Sequence, residues 1–390
     1  MTTPAPRWLL RLLLVLIPPL LLFGLAEALC WTFDVPRLAD NENFQKLEFM
    51  RECRSGSDLI ETRCAPEGVG EATKRRSIFV FGGSSVQGHP IGETTPFASH
   101  MQVMLDQRHP GEYAVRNLGV ACRDSIYVRK CAETIGGEAQ DLYVIYAGHN
   151  DFANFMVANP RLRIFSEEHP ALFDFPAILA KSRFYSLLAS WIRPPPRAKV
   201  ASWVRLPDPE WGEAKQIALD EYTRNITRVI EQAAELGIRV VLVTVVSNVS
   251  EYPAEQARWH KMLDRERPFP EWLDPWKEQF RIGVEEFEAG RPGESIAAFE
   301  RARDLSMGGR APSELNERLR ELSRAYDHVD LVDFELRLHR IGVEEGLLGC
   351  NFFGTQTWCD QFHPNPRTQH LIAQEIVKHL VASIRGQQPP

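Results

Sequence analysis

The chain is predicted to fold as a three-layer α/β/α sandwich around a central, mostly parallel five-stranded sheet. Three observations predict it: short apolar runs recur after residue 75, helical stretches separate them, and most of the runs are continuous rather than alternating. A strand covered by helices on both faces is apolar throughout, and regular strand–helix alternation lays successive strands parallel. Strands are expected at Ser77–Phe81, Ala114–Leu118, Leu142–Tyr146, Val240–Val246 and Val329–Phe334. Helices are expected at Phe97–Gln107, Ile126–Ile135, Glu221–Leu236, Ser313–Tyr326 and Thr368–Ile384.

With 390 residues, 44% of them hydrophobic and 25% charged, the chain has ordinary globular composition and enough length for a large core. Its 45 Lys and Arg are outnumbered by 52 Asp and Glu, for a net charge of −7. No basic run stands out, which argues against a surface that tracks phosphates, so no nucleic-acid partner is expected. One long apolar run excludes a polytopic membrane protein.

That run extends from Trp8 to Phe33, preceded by Arg7 and interrupted by Arg11, Pro18, Pro19 and Glu27. Spanning a bilayer takes about 20 apolar residues, and basic residues ahead of the run hold the N-terminus on the cytoplasmic side. A single-pass anchor over residues 1–33 is therefore expected, with the rest of the chain facing the periplasm or exterior. The competing reading is a cleaved signal peptide ending near Ala26-Glu27-Ala28. Residues 34–74 are polar and irregular, a stalk or N-terminal wrap. Apart from Cys30, six cysteines form three local pairs, Cys53/Cys64, Cys122/Cys131 and Cys350/Cys359, and in an exported chain such pairs are expected as disulfides. Cys359 near His363 lacks a second ligand pair, so no metal site is expected.

Two insertions interrupt the main domain, residues 75–388. Residues 152–215 are rich in aromatics and proline and are a candidate lid, whose Phe184, Tyr185, Leu187, Leu188, Trp191 and Ile192 suit core packing, an acyl chain or a membrane surface. Residues 275–306 are expected as a helical hairpin turning at Gly290-Arg291-Pro292-Gly293, similar to one tetratricopeptide unit. A lone copy builds no solenoid, so packing is the expected role.

Three stretches carry chemistry. Phe79-Val80-Phe81-Gly82-Gly83-Ser84-Ser85 runs from an apolar strand into small residues and a helix start. A serine there stands at the carboxyl end of the sheet, where open α/β folds place their sites, and its own N–H lies where partial positive charge favours an oxyanion. Tyr146-Ala147-Gly148-His149-Asn150-Asp151 also follows a strand; the Asn150 amide is suited to donate to an oxyanion without adding charge, or Asn150 and Asp151 simply cap the next segment. In Cys359-Asp360-Gln361-Phe362-His363 the carboxylate and the imidazole stand three residues apart, the spacing at which Asp360 orients His363 as a general base. Asp333, at a strand end, is the runner-up acid, and Ser85 the runner-up nucleophile.

Taken together, in this order, these blocks resemble the SGNH/GDSL-type hydrolases over roughly residues 75–385. Gly82, Ser84 and Gly88 match the family's Gly-Asp-Ser-x-x-x-Gly, with Gly83 standing at the Asp position; Gly148, Asn150 and Asp151 complete Gly-x-Asn-Asp; Asp360 and His363 complete Asp-x-x-His. Asn117 through Cys122 resembles the family's Asn-x-x-x-x-Gly, with Cys122 at the final glycine and Gly119 as the alternative donor. The anchor and hairpin make it similar to a membrane-anchored bacterial branch of that family. The resemblance implies a flavodoxin-like SGNH sheet, a Ser84–His363–Asp360 triad, an oxyanion hole of the Ser84 N–H, the Gly119 or Cys122 N–H and the Asn150 amide, and no cofactor. It implies an esterase acting on a glycan, lipid or small-molecule ester; an O-acyltransferase and a non-catalytic envelope scaffold are the alternatives.

Overall fold

The structure, a computed structural model, describes residues 7–37, 75–92, 96–155, 179, 181–192, 208–250, 274–305, 310–344, 359 and 362–384. The chain divides into two compact units, Met1–Glu52 with Arg161–Val200, and Cys53–Pro160 with Ala201–Pro390.

In the larger unit five strands, β1 (Arg76–Gly82), β2 (Tyr113–Asn117), β3 (Leu142–Tyr146), β4 (Arg239–Val243) and β5 (Val329–Val332), form one sheet in the order β2-β1-β3-β4-β5. Every pairing is parallel, with Val80 facing Asn117 on one side and Val144 on the other. The apolar runs are continuous because both faces are covered: Ile78, Val80, Phe81, Val144, Val240, Val241 and Leu242 are all buried. Helices Phe97–Arg108 and Pro366–Ile384 pack on each other over one face, and Ser125–Ile135, Asp208–Leu236 and Ser313–Ala325 over the other, as right-handed crossovers require. From β1 the chain moves out to β2 and then returns past β1 to β3. The connections after β1 and β3 therefore diverge, opening a crevice at their carboxyl ends.

Element ends have local causes. The strand expected to run to Val246 stops at Val243, because the Asn316 amide takes both backbone groups of Val245, receiving from its N–H at 2.9 Å and donating to its carbonyl at 2.8 Å. The strand expected to reach Phe334 stops at Val332, where Asp333 accepts the Leu336 N–H and begins a helix, Phe334–Glu344. Several helices start on proline, at Asp208-Pro209, Asp274-Pro275, Pro292 and Pro366, where the missing N–H costs nothing; the last is capped by Asn365, which accepts the Thr368 N–H at 3.0 Å. The β2 edge is closed by a side chain: Gln102 accepts the Val115 N–H and donates to the Tyr113 carbonyl, as a neighbouring strand would.

The expected hairpin forms as Asp274–Glu288 and Pro292–Leu305. Gly283 permits close approach, since a Cβ there would sit 2.6 Å from the Phe299 ring, and Ser295 donates to the Gly283 carbonyl at 2.6 Å. Its last turn is joined to the next helix by Asp304, which accepts the Ser313 N–H at 3.0 Å.

In the smaller unit, helix Arg7–Thr32 meets helix Arg183–Ile192. Glu27, the acidic residue of the apolar run, caps the second helix: it accepts from the Ser182 hydroxyl at 2.6 Å, the Arg183 N–H at 2.8 Å and the Phe184 N–H at 2.9 Å. Phe23 and Phe184 pack edge to face beside it. Among the described residues no helix is long and apolar enough to cross a membrane.

The expectation of a Cys122/Cys131 disulfide is corrected: both residues are described and they are not joined to each other. Cys131 lies on the core face of its helix and points toward the Tyr127 hydroxyl 3.9 Å away, whereas Cys122 sits in the loop before that helix. Nearness in sequence does not align two Cβ vectors across a loop–helix junction. Cys53, Cys64 and Cys350 lie outside the described residues.

Candidate active site

Ser84 begins the short helix Ser84–Gln87 directly after β1. Its position depends on small neighbours: a Cβ on Gly82 would fall 2.2 Å from the Tyr146 carbonyl oxygen and 2.4 Å from Val86. Gly88 ends the turn in the left-handed region at φ 100°, which favours glycine. Ser84 and His363 are both buried, and His363 Nε2 lies 2.7 Å from Ser84 Oγ. A base within hydrogen-bond reach of a hydroxyl at a helix start is the geometry that activates a serine nucleophile. The exposed His89 packs its ring against His363, with centroids 4.8 Å apart.

Ser85, the runner-up nucleophile, has another task. Its hydroxyl donates to the Phe362 carbonyl at 3.1 Å, tying the start of the sheet to the loop that carries His363. Gln369 reinforces this tie, donating to the Ser85 carbonyl and accepting the Phe97 N–H. Asp333, the runner-up acid, is held by Arg320 through two hydrogen bonds, at 2.7 and 2.8 Å, and also accepts from Thr244. Burial works against its charge, but the bonds and charge of Arg320 prevail and hold its carboxyl below the usual range. Asp360 lies outside the described residues.

Asn150 Nδ2 donates to the Arg123 carbonyl at 2.7 Å, so the amide is fixed against the loop after β2. Asp151 accepts the Ser125 N–H with both oxygens, and Asn225 bonds the Ser125 hydroxyl. The Asn150-Asp151 pair thus both presents an amide and pins the neighbouring loop. Gly83 explains its own departure from the family pattern: a Cβ there would lie 2.4 Å from Asn150 Nδ2. A side chain of any size would push the amide away.

In the loop after β2, the Gly119 N–H donates to Asn117 Oδ1 at 2.9 Å, and Asn117 donates in turn to the Val86 carbonyl. Gly119 is a packing glycine, because a Cβ would meet Gln87 N at 2.4 Å. Its amide is directed at Asn117. The next amides are also engaged, Val120 with the Gly82 carbonyl and Ala121 with the Gln87 side chain. Cys122 then turns left-handed, at φ 60°, in the position where the family pattern has glycine.

Sequence reasoning passed over one buried group. His149 receives the Ala311 N–H on Nδ1 at 3.1 Å, so Nε2 carries the proton and donates to the Val246 carbonyl at 3.0 Å. Burial drives its pKa down to about 3, against the opposing bond to Val246, and the nearby His363, Arg303 and Arg310 lower it further. The imidazole is neutral. Its ring stacks on Phe362, centroids 5.6 Å apart at 26°. A His between Gly148 and Asn150 was visible in the sequence, but nothing local distinguished a cross-link from a surface ring. Among the described residues no group of three or more His, Cys, Asp or Glu side chains is placed to hold a metal ion.

No protein-family model and no curated protein sequence matches the chain. Solved structures are similar to it at low identity. A lipase/acylhydrolase from Enterococcus faecalis is 14% identical over 81% of this chain and 98% of that one, with a TM-score of 0.39. A GDSL-like lipase from Bacteroides thetaiotaomicron is 13% identical over 84% and 97%, at 0.37. A lipase from a goat rumen metagenome is 11% identical over 77% and 95%, also at 0.37. At such identities and TM-scores these likenesses carry no weight in assigning an activity, which rests on the hydroxyl–imidazole pair over the sheet.

Proposed function

We propose that the chain is a serine ester hydrolase of the SGNH/GDSL type. The observation that carries this reading is the 2.7 Å contact between Ser84 Oγ and His363 Nε2 at the carboxyl end of β1. Ser84 attacks the ester carbonyl while its proton passes to His363 Nε2; His363 returns that proton to the leaving alkoxide, and the acyl-enzyme is then cleaved by water activated by the same imidazole. Asp360 takes the orienting role.

The oxyanion is received by the Ser84 N–H, the Cys122 N–H and Asn150. The Asn150 amide nitrogen carries two hydrogens: one holds the Arg123 carbonyl and fixes the group, leaving the second for the oxyanion. The left-handed turn at Cys122, where the family pattern has glycine, supports that residue as the loop donor. The substrate class is a small O-acyl ester on a glycan or a lipid-like molecule.

The same proposal keeps the chain at a membrane, attached through the exposed Leu21, Leu22, Leu25, Leu29 and Trp31 of the helix Arg7–Thr32 rather than by crossing it. Reaction of the full chain with a fluorophosphonate tests the hydrolase reading: covalent labelling of Ser84 is expected, and a folded, unlabelled protein would favour a non-catalytic scaffold.

A further inference from the structure

His149 is a buried titratable group that the acyl chemistry leaves unused. It is an imidazole in the core of an active-site wall that takes no part in the acyl chemistry, yet it joins four separate stretches of chain. It stands just after β3, bonds the stretch after β4 at Val246, bonds Ala311 ahead of the helix Ser313–Ala325, and stacks on Phe362. Phe362 immediately precedes His363, and their rings lie 4.7 Å apart.

We infer that His149 is a positioning residue, which sets the place of the His363 imidazole by holding the Phe362 ring while Ser85 holds its carbonyl. The inference rests on the hydrolase reading for its kinetic consequences, although the positioning itself is a matter of structure. Phe362 is gripped twice: its carbonyl by the Ser85 hydroxyl and its ring by the flat face of His149. A side chain that grips in this way needs an acceptor on one edge, a donor on the other and a flat apolar face between them. Neutral imidazole supplies all three; phenylalanine supplies only the face, and glutamine only the polar ends. Because the ring stays neutral, it holds the loop without placing a second positive charge beside the base.

A histidine that merely filled the core would affect stability alone. The two roles separate when turnover is counted per active site. In the full chain, p-nitrophenyl acetate hydrolysis is measured for wild type, His149→Ala, His149→Phe and His149→Gln, with sites titrated by fluorophosphonate. The expected result is a loss of about tenfold or more in kcat per site for His149→Ala, KM within about twofold, and partial recovery in His149→Phe or His149→Gln. Unchanged kcat per site across the variants that fold overturns the inference. A second readout does not depend on catalysis: in ¹⁵N-labelled protein the His363 ring resonances are expected to be sharp in wild type and exchange-broadened in His149→Ala. Sharp, unmoved resonances would overturn the positioning role. Broadening in a protein that never labels at Ser84 would leave it standing and remove the hydrolase reading instead.

Discussion

His363 Nε2 lies 2.7 Å from Ser84 Oγ across 279 positions of sequence. The contact forms because the helix after β1 and the loop before the last helix are joined side by side, through Ser85 to Phe362 and Gln369 to Ser85. Ser84→Ala is expected to abolish ester turnover and leave the melting temperature nearly unchanged, since only one hydroxyl is lost. Full turnover in that variant would remove Ser84 as the nucleophile.

The two candidate acids separate by what they hold. Asp333 is bonded to Arg320, so Asp333→Asn is expected to lower stability by about 1–3 kcal/mol with kcat unchanged. Asp360→Asn is expected to lower kcat severely with little effect on stability. Denaturant melts run alongside initial rates test the pair, and the reverse pattern would exchange their roles.

Asn150→Ala is expected to depress kcat by about 10²–10³, the usual cost of one oxyanion donor. Gly83→Ala is the more telling variant, because it leaves the amide in the chain but places a Cβ where Asn150 Nδ2 now sits. A comparable loss of kcat is expected from it. Activity near wild type in Gly83→Ala would mean that the amide's position is immaterial.

Cys122 holds a left-handed backbone that costs a non-glycine residue roughly 1–2 kcal/mol. Glycine relieves that strain but loses more chain entropy on folding, so Cys122→Gly is expected to stabilise by up to about 1 kcal/mol. Turnover should persist, since the proposed donor is a backbone N–H. Thiol titration of unfolded, unreduced protein is expected to count Cys122 and Cys131 as free.

His149 makes the fold sensitive to acid. Its pKa is about 3 in the folded chain against an ordinary 6.5, so between those values the unfolded chain binds the extra proton. The stability this contributes is complete above pH 6.5 and is lost as pH falls through that window, at about 1.4 kcal/mol per unit. Urea unfolding between pH 7 and pH 4.5 should show the decline in wild type and a flatter curve in His149→Gln. Parallel curves would assign the acid sensitivity to other groups.

Much of this molecule was legible in one dimension. Runs such as Ile78–Phe81 and Leu142–Tyr146 are apolar because both faces are covered, so their positions followed from the pattern, as did the hairpin turning at Gly290. Strand ends were less legible: whether Val245 continues a strand depends on Asn316, which lies 71 positions away. The Cys122/Cys131 pair misled, because spacing along a chain says nothing of which way two side chains point.

The sequence by itself determined the α/β layering, through the period of its apolar residues, and named Ser84, Asn150 and His363, through residue types placed after strands and before the last helix. Only the tertiary structure decided that Ser84 and His363 meet, that Gly119 bonds Asn117 while Asn150 is held at Arg123, and that Ser85 and His149 grip Phe362. Periodicity is a local property written by burial, whereas a hydrogen bond between distant side chains depends on how the sheet and its loops pack together.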